Sequence, residues 1–323
     1  MKKFSVFLEG DSNERQQKKK LTLALIYVTV AIIACLLVTL LVTNIVKVKN
    51  PTDGDENGGA SAEPAMTTVT IAPEKLHSGS LVLVNKDNEY IFESNPSPVS
   101  MSGDKKYTLK DNSLLANATA LAAFDKMMDG LYSSVPTANV VVTDAYRSKE
   151  AQDALNNGTS GGYSDSHTGM TFTLKHLEIG EEGENIYSPI SSVDKYDWLY
   201  KNAHKYGFVV RYPANTDAKS FSDITGVKGY DYAFRYVGVA HASYMYQNEL
   251  CLEEYLDKLQ SLDKDTSLSV KASDGRNYEI YYYEASEDTI EIEVPEKVAY
   301  EISGDNENGY IVTLNKAKSA KTQ

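Results

Sequence analysis

Hydrophobic positions fall into one long continuous run near the N-terminus and a series of shorter segments. The long run, residues 21–46, contains no charged residue. As a helix it would extend about 39 Å at ~1.5 Å per residue, which exceeds the ~30 Å hydrocarbon core of a bilayer. This pattern predicts a transmembrane helix at 21–46.

The basic residues around this run predict its orientation. Six Lys or Arg precede it and two closely follow it. The positive-inside rule therefore places residues 1–20 in the cytoplasm and the rest of the chain outside. A cleaved signal peptide and a lipoprotein anchor at Cys35 are alternatives, but the apolar run continues beyond Cys35, which favours an uncleaved anchor.

Residues 47–75 are predicted to be a linker. Their first part is rich in Pro, Gly, Asp and Glu and offers little to bury. The chain beyond the anchor is strongly acidic, with 24 Lys or Arg against 42 Asp or Glu in residues 50–323. This balance argues against nucleic acid as a partner. Two Cys in 323 residues exclude a disulfide-built scaffold.

Shorter apolar segments predict a mixed body of helices and strands. Helical periodicity and end signals predict four helices, at 112–132, 149–155, 193–206 and 250–262. Short β-branched or aromatic runs predict strands at 80–85, 139–143, 170–174, 208–211 and 234–237. Four more strands, at 268–270, 278–283, 290–294 and 310–314, predict a small C-terminal β appendage. The acidic runs 181–184 and 305–307 are predicted to be solvated loops, with calcium binding as the alternative.

Three separated blocks carry a resemblance to a known family. They are TDAYRSKEAQ at 143–152, WLYKNAHKYGFVVRYP at 198–213 and ITGVKGYDYAFRYVGVAHA at 224–242. Together they resemble the VanY-type D-alanyl-D-alanine carboxypeptidases, zinc peptidases that trim bacterial cell-wall stem peptides. The resemblance implies an α+β fold, with helices packed around an antiparallel sheet, for a domain at 76–262. Residues 263–323 would form the appendage.

The resemblance also implies where the metal site of the family would lie. Its zinc is held by two His and one Asp, with a Glu as general base to the bound water. The matching ligand positions are Ser166, Thr173 and Ala233, and the matching base position is Tyr230. Hydroxyl groups are poor zinc ligands and alanine has no donor. We therefore expect no catalytic residues and no metal, and we expect His167, one residue from a ligand position, to be a loop or surface histidine.

Other positions of the family's cleft are retained. By resemblance, Arg147, Gln152, Ser164 and Tyr146 are candidate ligand-binding residues, and Arg147 would face a carbonyl or carboxylate of a peptide. A structural ion pair is the alternative role for Arg147. Aromatic bulk at Tyr230 and Tyr232 is expected to fill the space that the metal site would occupy.

These expectations combine into one functional hypothesis with two rivals. The protein is expected to be a carboxypeptidase-like binding module without catalytic activity, anchored in a bacterial cell membrane and facing outward. Its expected partners are a peptidoglycan stem peptide or an extracytoplasmic protein. The main rival is an active D-alanyl-D-alanine carboxypeptidase with an atypical zinc site, so the enzymatic status stays open. A purely structural role in an assembly is the second rival.

Overall fold

The computed structural model describes residues 65–316. The predicted cytoplasmic tail at 1–20 and the predicted transmembrane helix at 21–46 lie outside the described residues and stay predictions. Between residues 65 and 316, no helix is long and apolar enough to cross a membrane. This part of the chain has a mixed α+β fold, which confirms the predicted fold class.

Residues 65–262 form nine strands, six of which make one central sheet. They are β1 (Met66–Ile71), β2 (Val99–Ser100), β3 (Thr108–Leu109), β4 (Leu115–Ala116), β5 (Val140–Asp144), β6 (Thr171–Ile179), β7 (Asn185–Pro189), β8 (Phe208–Val210) and β9 (Ala233–Tyr236). In the central sheet the order is β3, β5, β6, β9, β8, and β7 adds to β6. All neighbours are antiparallel except β3 and β5.

Six α-helices within residues 65–316 surround the strands. They are α1 (Ala118–Ser134), α2 (Lys149–Leu155), α3 (Asp197–Asn202), α4 (Phe221–Thr225), α5 (Val239–Asn248) and α6 (Leu252–Leu259). Two of them, α1 and α3, share the main hydrophobic core with the central sheet. The longest, α1, is capped by Asn117, whose side chain accepts from two backbone N–H groups of the first turn. Phe124 of α1 stacks on Phe172 of β6 with ring centroids 4.3 Å apart, which fixes the helix against the sheet.

Two helices differ from their predicted extents. The helix predicted at 112–132 begins only at Ala118, because Leu115–Ala116 pair with β2 and Asn117 then caps the helix. The helix predicted at 193–206 is divided into two 3-10 turns, Asp194–Tyr196 and Ala203–Tyr206, with α3 between them. In contrast, the helix predicted at 149–155 is confirmed as α2, with Ser148 as its cap.

The strand predicted at 80–85 is wrong, although the segment is buried. Leu81, Val82, Leu83 and Val84 are at most 3% exposed but belong to no strand. Instead of pairing with a neighbouring strand, the carbonyls of Ser80, Val82 and Val84 accept hydrogen bonds from buried arginines. The apolar pattern therefore reflects burial and not strand pairing. Arginine side chains donate the hydrogen bonds that a neighbouring strand would otherwise supply to these carbonyls.

The C-terminal strands pack against the domain. They are β10 (Leu268–Lys271), β11 (Asn277–Glu284), β12 (Ile290–Pro295), β13 (Ala299–Gly304) and β14 (Gly309–Lys316). Four of them form a sheet in the order β10, β11, β14, β13. Ile280 and Ile311 of this sheet share one buried cluster with Leu252 and Leu256 of α6. All four predicted strands are confirmed, and β13 was missed.

Two further segments differ from the sequence prediction. Residues 47–75 were predicted to be a linker, but Met66–Ile71 form β1, which pairs with β12. The acidic run at 305–307 was predicted to be a solvated loop, but Asp305 is fully buried. Its carboxylate accepts from the backbone N–H groups of Glu307, Asn308 and Gly309 and from the Tyr282 hydroxyl, so this acid organises a tight turn.

Candidate functional site

A cavity of about 660 Å³ lies among α2, the loop that follows it and the segment after α4. Three of the predicted ligand-binding residues, Arg147, Gln152 and Ser164, line it. Tyr146 is not among the lining residues. Its N–H group donates to the carbonyl of Leu115 in β4.

Behind Ser166 and Tyr230, which line the cavity, three strands form a floor at one level. The floor residues Asp144, Thr173 and Ala233 do not line the cavity themselves. Asp144 of β5 lies opposite Thr173 of β6, and Thr173 lies opposite Ala233 of β9. Ser166 reaches the same point from the 3-10 turn Asp165–Thr168, and its hydroxyl donates to Asp144 Oδ2 at 2.8 Å. The structure therefore brings together the three positions that the resemblance assigned to metal ligands.

Asp144 is a central residue of this floor that the sequence analysis did not identify. Its Oδ2 accepts from Ser166 and from Arg147 Nη2, the latter at 2.5 Å. Burial raises the pKa of the Asp144 carboxyl above its ordinary value, although the Arg147 guanidinium opposes this shift. The sequence feature that could have identified Asp144 is its position at the end of a predicted strand, three residues before Arg147.

Arg147 is held on two sides. Besides Asp144, its Nη1 donates to Gln152 Oε1 at 2.5 Å. Gln152 is fully buried, and its amide N–H groups donate to the side chain of Asn157 and the carbonyl of Thr159. Gln152 therefore orients the guanidinium and ties α2 to the loop of the cavity wall.

The two tyrosines expected to fill this space do so only in part. Tyr230 lines the cavity, and its hydroxyl lies 3.3 Å from Thr173 Oγ1. Tyr232 does not line the cavity and packs against the main hydrophobic core. The cavity remains open, so the expectation was wrong for Tyr232. Burial raises the pKa of the Tyr230 hydroxyl further above neutral pH, where a tyrosine is already protonated.

His167 is buried and points away from the cavity, so the prediction of a loop or surface histidine was wrong about its exposure. Its Nε2 accepts from the Gly162 N–H at 2.9 Å, and its Nδ1 lies 2.6 Å from the Arg147 carbonyl oxygen. Burial lowers the pKa of the imidazole. The neutral ring joins the segment before α2, which carries Arg147, to the loop after α2, which carries Gly162 and Ser164.

A network of buried charges underlies the cavity. Asp165 accepts from Arg235 Nη1 at 2.6 Å and lies 3.2 Å from Arg211 Nε. Arg211 also forms a two-pronged pair with Glu253 of α6, at 2.8 and 3.0 Å. Burial alone would raise the pKa of Asp165, but the two guanidinium groups outweigh it and the pKa lies below its usual value. Two positive and two negative charges thus balance within the interior.

Comparison with known proteins identifies the family of this domain. The family model for VanY, D-alanyl-D-alanine carboxypeptidase, matches residues 111–239. A D-alanyl-D-alanine carboxypeptidase of Enterococcus faecium is 30% identical over 282 residues, covering 82% of this chain and 84% of the relative. The chain belongs to the VanY D-alanyl-D-alanine carboxypeptidase family.

Two further relatives agree with this assignment. A D-alanyl-D-alanine carboxypeptidase of Enterococcus faecalis is 25% identical over 217 residues, covering 62% of this chain and 74% of the relative. The crystal structure of the vancomycin-resistance D,D-dipeptidase VanXYg, in complex with a D-Ala-D-Ala phosphinate analogue, superposes with a TM-score of 0.64. It is 24% identical, and the match covers 78% of this chain and all of VanXYg. This last comparison supports the fold.

The residues of this VanY-family cavity do not fit a catalytic zinc ion. Ser166 and Thr173 carry hydroxyl groups that bond to Asp144 and Tyr230, and Ala233 carries no donor. The two nearby carboxylates, Asp144 and Asp165, are engaged by arginines. Within residues 65–316, no group of three or more His, Cys, Asp or Glu could hold a metal ion. An open zinc site needs three such ligands.

Proposed function

We propose that this VanY-family domain is a binding module without peptidase activity, which holds a peptide in its cavity on the outer side of a bacterial membrane. The observation that carries the proposal is the bonding of the cavity floor. The hydroxyl of Ser166 is bonded to Asp144, that of Thr173 lies against Tyr230, and Ala233 is inert.

The same floor explains why hydrolysis is not expected. Peptide hydrolysis needs a strong nucleophile and a group that takes its proton. Asp144 is the carboxylate of the floor, and it is hydrogen-bonded to Arg147 and Ser166. Tyr230 keeps its proton at neutral pH, because a tyrosine hydroxyl ordinarily titrates near pH 10 and burial raises the pKa of Tyr230 further. Neither residue is free to act as a general base to water.

The cavity retains features that suit a peptide. Arg147 has five N–H donors, and two of them are used by Asp144 and Gln152, so the others can meet a peptide oxygen. The wall also offers Ser164 and the apolar side chain of Leu155, which is half exposed. This mixture of fixed polar groups and apolar surface is typical of pockets that orient a ligand.

The proposed location depends on the N-terminal sequence. The uncharged run at 21–46 and the basic residues before it favour a single-pass anchor with the domain outside. A cell-wall stem peptide is the favoured ligand because VanXYg, a structural neighbour, binds a D-Ala-D-Ala analogue. An extracytoplasmic protein that presents a similar peptide segment is the other ligand class.

Metal analysis and peptide titration of the full-length protein in detergent test this proposal. We expect far less than one zinc per chain and no release of D-alanine from an acetylated peptide ending in D-Ala-D-Ala. The same peptide, as free acid or as C-terminal amide, should bind saturably. Near-stoichiometric zinc with D-alanine release would instead establish an active peptidase.

A variant of Arg147 tests whether the peptide occupies this cavity. Arg147→Ala should weaken peptide binding at least tenfold, because the peptide loses a charged hydrogen-bond donor. Arg276→Ala is the matched control, since Arg276 is largely exposed and lies on the turn between β10 and β11. Equal binding by both variants would place the peptide elsewhere.

A further inference from the structure

The ion pair between Asp144 and Arg147 lies at the edge of the cavity, where Arg147 is a lining residue and Asp144 lies directly behind it. The two side chains are 16% and 18% exposed, whereas Asp165, Arg211 and Arg235 below them are at most 1% exposed. A ligand that enters the cavity can therefore contact Arg147 and approach the partly exposed Asp144 bound to it. Of the three charges below, only Asp165 lines the cavity, and its side chain is 1% exposed.

Asp144 already neutralises the guanidinium charge of Arg147 that would attract an anion. Its Oδ2 lies 2.5 Å from Arg147 Nη2, and the Ser166 hydroxyl donates to the same oxygen. Gln152 Oε1 accepts from the other terminal nitrogen. A carboxylate of a ligand would have to displace Asp144 from Arg147 or lie beside it, and two carboxylates this close repel each other.

The other charges around the cavity do not remove this effect. Lys86 lines the cavity but pairs with Asp87, and both side chains are largely exposed to solvent, which screens them. Asp165 also lines the cavity, and its charge is balanced by Arg235 and Arg211. The pair of Asp144 and Arg147 therefore decides which charge the cavity accepts at its floor.

We propose that Asp144 is a specificity-determining residue that acts as an internal counter-ion to Arg147 and makes the cavity select peptides whose carboxyl group is in amide linkage over peptides with a free C-terminal carboxylate. A neutral carbonyl accepts from the remaining N–H groups of Arg147 without displacing Asp144. This inference rests on the proposed peptide-binding function and names the chemical class of its ligand.

Titration of two peptides against the full-length protein tests the inference. The probes are one acetylated peptide ending in D-Ala-D-Ala, as free acid and as C-terminal amide. The wild-type protein should bind the amide more tightly. In Asp144→Asn, which has nearly the same shape, affinity for the free acid should rise at least tenfold, and affinity for the amide should stay within about threefold. The gain should shrink at high salt.

Asp87→Asn is the matched control, because it removes one negative charge near the cavity without touching Arg147. It should leave the ratio of acid to amide affinity unchanged. A thermal unfolding curve for each variant shows whether it is folded. If Asp144→Asn does not fold, the wild-type ratio alone still decides, since tighter binding of the free acid overturns the inference.

The outcomes separate the inference from the proposed function. If the wild-type protein prefers the free acid, or if Asp144→Asn leaves the ratio unchanged, the inference fails while peptide binding stands. If neither peptide binds to the folded wild-type protein or to folded Asp144→Asn, both fail. If the wild-type protein prefers the amide and Asp144→Asn shifts the ratio of acid to amide affinity towards the free acid, both are supported.

Discussion

The cavity floor and the charge network beneath it each contain an aspartate bound to arginine, but the two aspartates differ in how far they are exposed. Asp165 is enclosed by Arg235, Arg211 and the hydroxyl of Thr171. Asp144 shares one oxygen between Arg147 and Ser166 at the edge of an open cavity. Only the second pair can change partners when a ligand arrives.

This difference separates a structural role from a binding role. The lower network joins the turn before β6, the end of β8, β9 and α6, and its arginines also bind the carbonyls of Ser80, Val82 and Val84. It therefore holds the elements that shape the cavity. The VanY fold can persist with an altered floor because the floor residues carry few of these connections.

The largest expected effect comes from giving the floor a set of metal ligands. We expect Ser166→His/Thr173→Asp/Ala233→His to bring the protein from little bound zinc to nearly one zinc per chain, because the three positions meet at one point. Three protein ligands suffice for an open tetrahedral site. Metal analysis after dialysis against trace zinc measures this.

The double variant Ser166→His/Ala233→His is the control for this graft. It lacks the carboxylate ligand and should retain zinc at least tenfold more weakly. If the triple variant is folded but takes up no more zinc than the wild-type protein, the ligand positions implied by the resemblance are wrong.

The second-largest effect is expected from a substitution that disrupts the lower network. Asp165→Asn should lower the free energy of unfolding by about 3–5 kcal/mol, because Arg235 is left buried without a counter-charge. Denaturant unfolding measures it. Asp87→Asn removes an acid of an exposed pair and should cause no measurable change. Equal stability of the two variants would contradict a structural role for the network.

The smallest effect concerns a buried neutral histidine outside both regions. His241 Nδ1 lies 2.7 Å from the Tyr255 hydroxyl, and its Nε2 lies 2.9 Å from Thr313 Oγ1. Burial lowers the pKa of His241 to about 3 from an ordinary 6.5. Below pH 6.5 the unfolded chain binds a proton that the folded chain does not, so stability falls as pH falls towards 3.

This contribution amounts to ~1.4 kcal/mol per pH unit within that window. His241→Asn removes it, although the variant is less stable at pH 7 because it loses packing. The free energy of unfolding, measured from pH 7 to pH 4, should therefore fall less steeply in the variant than in the wild-type protein. Parallel curves would show that His241 is not the titrating group.

Local patterns predicted the elements whose chemistry is contained in a few neighbouring residues. The helix α2 follows from Ser148 as its cap and from the Asn-Asn-Gly that ends it. The strands β11 and β14 follow from their aromatic and β-branched residues. The resemblance also placed Arg147 and Gln152, which the structure brings together on the cavity wall.

Other features could not be predicted because they depend on residues far apart in the chain. The segment 80–85 has the composition of a strand, but Arg211 and Arg235 take its carbonyls. The run 305–307 has the composition of a solvated loop, yet the Asp305 carboxylate is buried. It accepts hydrogen bonds from the Tyr282 hydroxyl and three backbone N–H groups. A count of local polarity cannot foresee such partners.

The sequence by itself determined the family, the mixed fold and the identity of the side chains at the positions that the resemblance assigns to metal ligands, because these depend on residue type and order. Only the tertiary structure decided that Asp144 reaches Arg147 and Ser166, that His167 turns inward and that the cavity stays open. Burial and distance set these outcomes, since a polar group removed from water takes whichever partner the fold brings within hydrogen-bonding reach.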